Sequence, residues 1–99
     1  MNTPESVNNR LAELRAQIDD LDARALAILN ERMELVIVLG KLKKSAGLRL
    51  FDSEREKAIF RKLVAENPGP MSAAAVTRIF ERIIDESRHI ERVDAYEKE

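Results

Sequence analysis

Apolar residues recur along the first half of the chain at alternating steps of four and three. The steps select Val7, Leu11, Leu14, Ile18, Leu21, Ala25, Ile28, Arg32, Leu35, Leu39 and Leu42, and only Arg32 breaks the apolar series. This is the period of a helix face and of a coiled-coil seam. Proline is absent from Glu5 to Asn67, and glycine occurs there only as Gly40 and Gly47. The pattern predicts a single helix of roughly 40 residues, about 60 Å long at 1.5 Å per residue. Thr3 or Ser6 is placed to cap its start, with Pro4 suited to a first turn. Gly47 is suited to a left-handed stop. Gly40 inside the helix costs about 1 kcal/mol relative to alanine, which a long helix absorbs.

A short connection, Arg49-Leu50-Phe51-Asp52, follows. Ser53-Glu54-Arg55-Glu56 has the form of a capping box opening a second helix, which carries Ile59, Phe60, Leu63 and Val64. Asn67-Pro68-Gly69-Pro70 is the clearest break in the chain. A third helix is expected from about Ser72, carrying Val76, Ile79, Phe80, Ile83, Ile84, Ile90 and Val93. The fold class is therefore all-α, three helices in one domain over residues 1–99, with fraying expected at 1–5 and 96–99.

A rod of about 60 Å is long against the radius of gyration of about 13 Å of a compact 100-residue domain. The remaining residues are too few to cover both of its ends, yet the apolar stripe runs nearly its full length. A second copy of the chain is the simplest cover, and an intertwined homodimer is expected.

Composition narrows the function. Hydrophobic residues make up 44% of the 99, enough for a core, and 17 basic residues oppose 18 acidic ones. That balance argues against a nucleic-acid surface, which needs a basic excess. No apolar run reaches the length of a membrane span, and the start MNTPESVNNR has neither the cationic nor the apolar part of a secretory signal. Cysteine is absent and histidine occurs once, so no disulfide or metal site is expected. The expected setting is cytoplasmic, with no cofactor.

What remains is the polar residues that interrupt apolar stripes. Arg32, Val36, Leu39 and Lys43 follow offsets of four, seven and eleven; Asp52, Glu56, Ile59 and Leu63 repeat them; Phe80, Ile84, Ser87 and Glu91 repeat them again. Eleven residues return to within about 20° of the starting direction on a helix. Each helix thus presents polar groups in line with apolar ones, and together they suit a closed pocket for a small polyanion carrying a hydroxyl. Each residue also has a plainer role. Arg32 can pair with an acid across a dimer seam. Lys43 can offset a helix dipole. Asp52 can simply begin the second helix, and Glu56 can close a capping box with Ser53. Ser87 can bond back to its own helix, and Glu91 can face solvent. His89 reads as a surface residue. Arg15 stands about 25 Å along the helix from Arg32, too far to share a pocket with it in one chain.

The ordered series Leu11-x-x-Leu14-Arg15-x-x-Ile18-x-x-Leu21-Asp22, Leu29-x-x-Arg32, Gly40-Lys41-x-Lys43, Asp52-x-x-Arg55-Glu56 and Ile83-Ile84-x-x-Ser87 resembles the all-helical class of chorismate mutase. The resemblance covers about residues 8–94 and includes the polar positions and the loop lengths between them. It implies an intertwined helical dimer that converts chorismate to prephenate. By the same resemblance, Arg15 is donated across subunits to the neighbour's site and Arg32 clamps a carboxylate. Lys43 holds a carboxylate and the breaking ether oxygen. Asp52 and Glu56 lie where the ring hydroxyl is contacted, Arg55 makes a supporting contact, and Ser87 meets a carboxylate. Where the best-known bacterial enzymes carry glutamine facing the ether oxygen, this chain has Glu91, as some fungal members do. A carboxylate donates a hydrogen bond only when protonated, so Glu91 is expected to act as a neutral acid in the liganded site.

The chemistry this implies is a one-substrate pericyclic rearrangement that needs no nucleophile, metal or redox cofactor. Two rival readings stand beside it. One is an isochorismate–pyruvate lyase on the same fold, from which the Asp52-x-x-Arg55-Glu56 segment leans away. The other is a non-catalytic helical dimer serving as an interaction module.

Overall fold

The computed structural model describes residues 3–97, and in them the chain is helical apart from short connections. Helix α1 runs over Pro4–Ser45, α2 over Ser53–Glu66 and α3 over Ala73–Glu91, and a π-helical turn, Arg92–Glu97, continues α3. Two compact units are distinguished, Met1–Arg32 and Met33–Glu99. The first is a single stretch of helix with no interior, so it does not amount to a domain with a core of its own.

Local chemistry explains the helix ends. At the start of α1, Thr3 and Ser6 cap reciprocally: the Ser6 N–H donates to Thr3 Oγ1 at 3.1 Å and the Thr3 N–H to Ser6 Oγ at 3.0 Å. Pro4 takes the first helical position, where its missing N–H costs nothing. At the other end the Leu48 N–H donates to the Lys43 carbonyl at 2.8 Å and the Gly47 N–H to the Lys44 carbonyl at 3.1 Å. This is a Schellman stop, and it requires the positive φ of 70° that Gly47 supplies.

Helix α2 begins one residue earlier than the expected capping box. Asp52, not Ser53, is the cap, and its carboxylate accepts from the Arg55 N–H at 3.0 Å. The helix ends at Asn67, held extended ahead of Pro68. Ser72 caps α3 by accepting from the Ala75 N–H at 3.1 Å.

The interior lies along one face of α3 and its π-helical continuation. Val76, Ile84, Ser87, Glu91 and Ala95 are buried, with Phe80 half-buried in the same row. From α2, Ile59, Phe60 and Leu63 are half-buried. All ten apolar residues of the α1 seam are exposed in the single chain, and Arg32 alone of the eleven is half-buried.

Of the ends expected to fray, Met1, Asn2, Lys98 and Glu99 lie outside the described residues. Pro4 and Glu5 are helical, and Tyr96 is tied down by its hydroxyl, which donates to the Leu48 carbonyl at 2.9 Å. Among the described residues, no helix is long and apolar enough to cross a membrane.

Candidate active site

The second unit holds most of the polar residues singled out from the pattern, and Lys43 and Glu91 form its centre. Lys43 stands in the last turn of α1, and the reversal at Gly47 brings the following loop back over it. Its ammonium donates to the Leu50 carbonyl at 3.0 Å and lies 3.1 Å from Glu91 Oε2. The Lys43 side chain is 19% exposed and that of Glu91 only 7%. Lys43 is therefore an ion-pair partner held in place by backbone, not a solvated dipole-balancing charge.

Glu91 reaches this position because Gly40 lets α3 come close. A Cβ at Gly40 would lie 2.5 Å from Glu91 Cγ and 2.8 Å from the Ala95 Cβ, both closer than real atoms approach. The Gly40 that costs α1 some helix propensity is the opening that admits the Glu91 side chain. Although it faces a cation, Glu91 Oε2 accepts no well-aligned hydrogen bond. A buried carboxylate oxygen normally has such a bond, because an unsatisfied one forfeits its hydration without replacement. The pair thus leaves hydrogen-bonding capacity unused at Glu91 Oε2.

Ser87 lies one turn before Glu91 and is buried. Its hydroxyl is 2.7 Å from the Ile83 carbonyl of its own helix and 3.6 Å from the Met33 sulfur. The plainer role suggested by sequence, bonding back to the helix, is the one it performs here. To serve a ligand, the hydroxyl proton must rotate away from Ile83.

Glu56 does not close a capping box. Both its oxygens accept from Arg88, which stands 32 residues later on α3: Nε donates to Oε2 at 2.8 Å, and the second terminal nitrogen donates to Oε1. Glu56, first by this hydrogen bond and then by its charge, raises the Arg88 guanidinium above its already basic value, against a smaller opposing effect of burial. The guanidinium carbon also lies 4.5 Å from the centre of the Phe51 ring, a cation–π contact. Sequence reasoning gave Arg88 no role. The only available signal was its place beside Ser87 and three residues before Glu91.

Asp52 and Arg55 are exposed at the start of α2, joined through the cap bond. Arg15 and Arg32 belong to the first unit; Arg15 is exposed and Arg32 half-buried. The second unit therefore brings together Lys43 and Glu91, pairs Glu56 with an unforeseen arginine, and keeps Asp52 and Arg55 at a helix cap. Among the described residues there is no cluster of three or more side chains suited to hold a metal ion.

A half-buried ammonium facing a buried carboxyl suits electrostatic work. Both groups are pre-oriented, and in a site of low dielectric each acts strongly on a charge that develops nearby.

Comparison with known proteins bears on which charge that is. The family described as chorismate mutase type II matches residues 14–92. The chain is 32% identical over 88 residues to the bifunctional chorismate mutase/prephenate dehydratase of Neisseria gonorrhoeae, covering 89% of this chain and 24% of that protein. It is 30% identical over 86 residues to the chorismate mutase of Methanocaldococcus jannaschii, covering 84% of this chain and 85% of that one. Among solved structures, form II of the chorismate mutase from Thermus thermophilus matches with a TM-score of 0.83 and 34% identity, over 84% of this chain and 94% of that chain. The chain spans only about a quarter of the length of the bifunctional relatives.

Proposed function

Given that the chain belongs to the chorismate mutase type II family, we propose that it rearranges chorismate to prephenate on the route to the aromatic amino acids, as a homodimer in the cytoplasm. The observation that carries this reading is the Lys43–Glu91 pair. It combines an ammonium fixed by the Leu50 carbonyl with a buried carboxyl whose Oε2 has no aligned partner.

The rearrangement breaks an ether C–O bond as a C–C bond forms within one molecule. Charge grows on the departing ether oxygen, and the enzyme must hold a flexible dianion in its reactive chair. Lys43 donates to the ether oxygen, and Glu91, carrying a proton, donates beside it. Arg32 grips a carboxylate with its planar fork, and the Ser87 hydroxyl, turned from Ile83, meets a carboxylate. Glu56, flanked by Asp52 and Arg55, receives the ring hydroxyl.

The exposed α1 seam supports the dimer. An apolar stripe that meets solvent over its whole length in one chain finds its natural cover in a second copy. Arg15 then enters the neighbour's site.

The test is to offer the purified protein chorismate and, separately, isochorismate. Prephenate from the first is the expected result. Salicylate with pyruvate from the second, without prephenate from the first, would replace the reading with the lyase. Arg32→Ala separates either enzyme from a silent helical module: loss of turnover by about 100-fold or more is expected, whereas a module would tolerate the change.

A further inference from the structure

We propose that Arg88 is the positioning residue for Glu56 and thereby sets how strongly the site demands a hydroxyl on its substrate's ring. The inference rests on the reading that Glu56 receives that hydroxyl.

A glutamate on a helix has three rotatable bonds, and a lone carboxylate accepts from any direction. Here the freedom is removed. The guanidinium binds both oxygens in parallel, Nε to Oε2 and a terminal nitrogen to Oε1, which fixes the plane of the carboxylate as well as its position. The guanidinium is in turn held at a distance of 4.5 Å over Phe51, in the connection that leads into the α2 cap at Asp52. The carboxylate is thus aimed by a chain of contacts running from α3 to the start of α2.

Chemistry leaves room for a ligand. Each carboxylate oxygen has two lone-pair directions, and Arg88 takes one on each. The remaining two point in directions that the guanidinium has set. The side chain of Glu56 is 17% exposed and that of Arg88 is 42% exposed, so the carboxylate is the more sheltered member of the pair. Arg88 also stands between Ser87 and Glu91 in sequence, which ties its placement to theirs. Without it, Glu56 is a partly buried carboxylate that has lost its two-point partner, and its low-energy course is to swing toward water.

The readout is discrimination, not activity alone. Two ring-locked dicarboxylate inhibitors, identical except that one carries the ring hydroxyl and one has hydrogen there, are titrated against wild type, Arg88→Met, Arg88→Lys and Glu56→Gln. For Arg88→Met the expected result is a loss of about 10-fold in affinity for the hydroxylated inhibitor and less than twofold for the other. Arg88→Lys, which keeps the charge but not the two-point grip, should recover only part of the loss. Glu56→Gln should lose the hydroxyl preference outright, and the double variant should lose no more than Glu56→Gln alone. Equal weakening of both inhibitors by Arg88→Met, as a general loosening of the fold would produce, overturns the proposal. So does an unchanged preference for the hydroxyl. If Glu56→Gln itself keeps the preference, the placement of Glu56 is what fails. If Glu56→Gln abolishes the preference and Arg88→Met does not, only the role of Arg88 is lost.

Discussion

Along the described part of the first unit the apolar side chains of the seam face solvent: Ile18 and Leu21 are each more than half exposed, and Ile28 is 62% exposed. Within Met33–Glu99 the groups drawn inside include a hydroxyl and a carboxyl, Ser87 and Glu91, beside Val76, Ile84 and Ala95. A free-standing soluble chain would arrange matters the other way round, because burying charge is costly and exposing grease forfeits the main driving force of folding. The contrast teaches that the two units meet different needs. The first offers only a surface that gains by association, whereas the second carries exposed Leu35, Leu39 and Leu42 of the same seam and also holds charges that gain by meeting a ligand.

The largest expected effect strikes the second unit alone. Lys43→Ala removes the ammonium from Glu91 and from the reacting oxygen. Turnover should fall 100- to 1000-fold, about 3–4 kcal/mol of transition-state stabilisation. Circular dichroism should show the helices intact, and a loss below tenfold would return Lys43 to a structural role.

Leu21→Asp strikes the first unit. On an exposed surface such a change is worth within about 0.5 kcal/mol. In a buried seam an unpaired carboxylate costs several times that. Sedimentation should show association weakened at least 100-fold, with activity falling as the dimer dissociates. A variant as dimeric and active as wild type would mean that another part of the surface makes the contact.

Gly40→Ala tests how tightly the second unit is built. Its Cβ would overlap Glu91 Cγ and the Ala95 Cβ. The gain of about 1 kcal/mol in helix propensity should be outweighed by overpacking of about 1–3 kcal/mol. Urea denaturation should read a net loss of stability together with reduced turnover, since Glu91 must move. A stabilised, fully active variant would show that α3 yields easily there.

The smallest effect is expected from Glu91→Gln at acidic pH, where the amide replaces one neutral donor by another. As pH rises, an enzyme that depends on protonated Glu91 loses activity, so the wild-type rate should decline while the glutamine variant stays level. The measurement is kcat/KM against pH for both proteins, and parallel profiles would remove Glu91 from the donor role.

Much of the scaffold was legible from local signals. The stop at Gly47, the break at Asn67–Pro70 and the cap at Ser72 are all set within four residues, and each stands where the pattern placed it. The row Phe80, Ile84, Ser87, Glu91 was likewise readable as one face. The start of α2 was misread by one residue because Ser53 and Asp52 are both good caps. What separates them is the fate of Glu56, which a capping box would bend back to its own helix and which Arg88 instead holds from 32 residues away.

Periodicity and end signals depend on neighbours in sequence, so the amino-acid order alone determined the three helices, the faces they would bury and the list of polar residues to watch. Partnerships between side chains depend on distances that only the folded chain sets. Tertiary structure decided that Gly40 opens a path for Glu91, that Lys43 is steadied by the Leu50 carbonyl, that Tyr96 fastens the loop at Leu48 and that Arg88 claims Glu56. Each of these joins residues that share no period, and a periodic pattern cannot encode them.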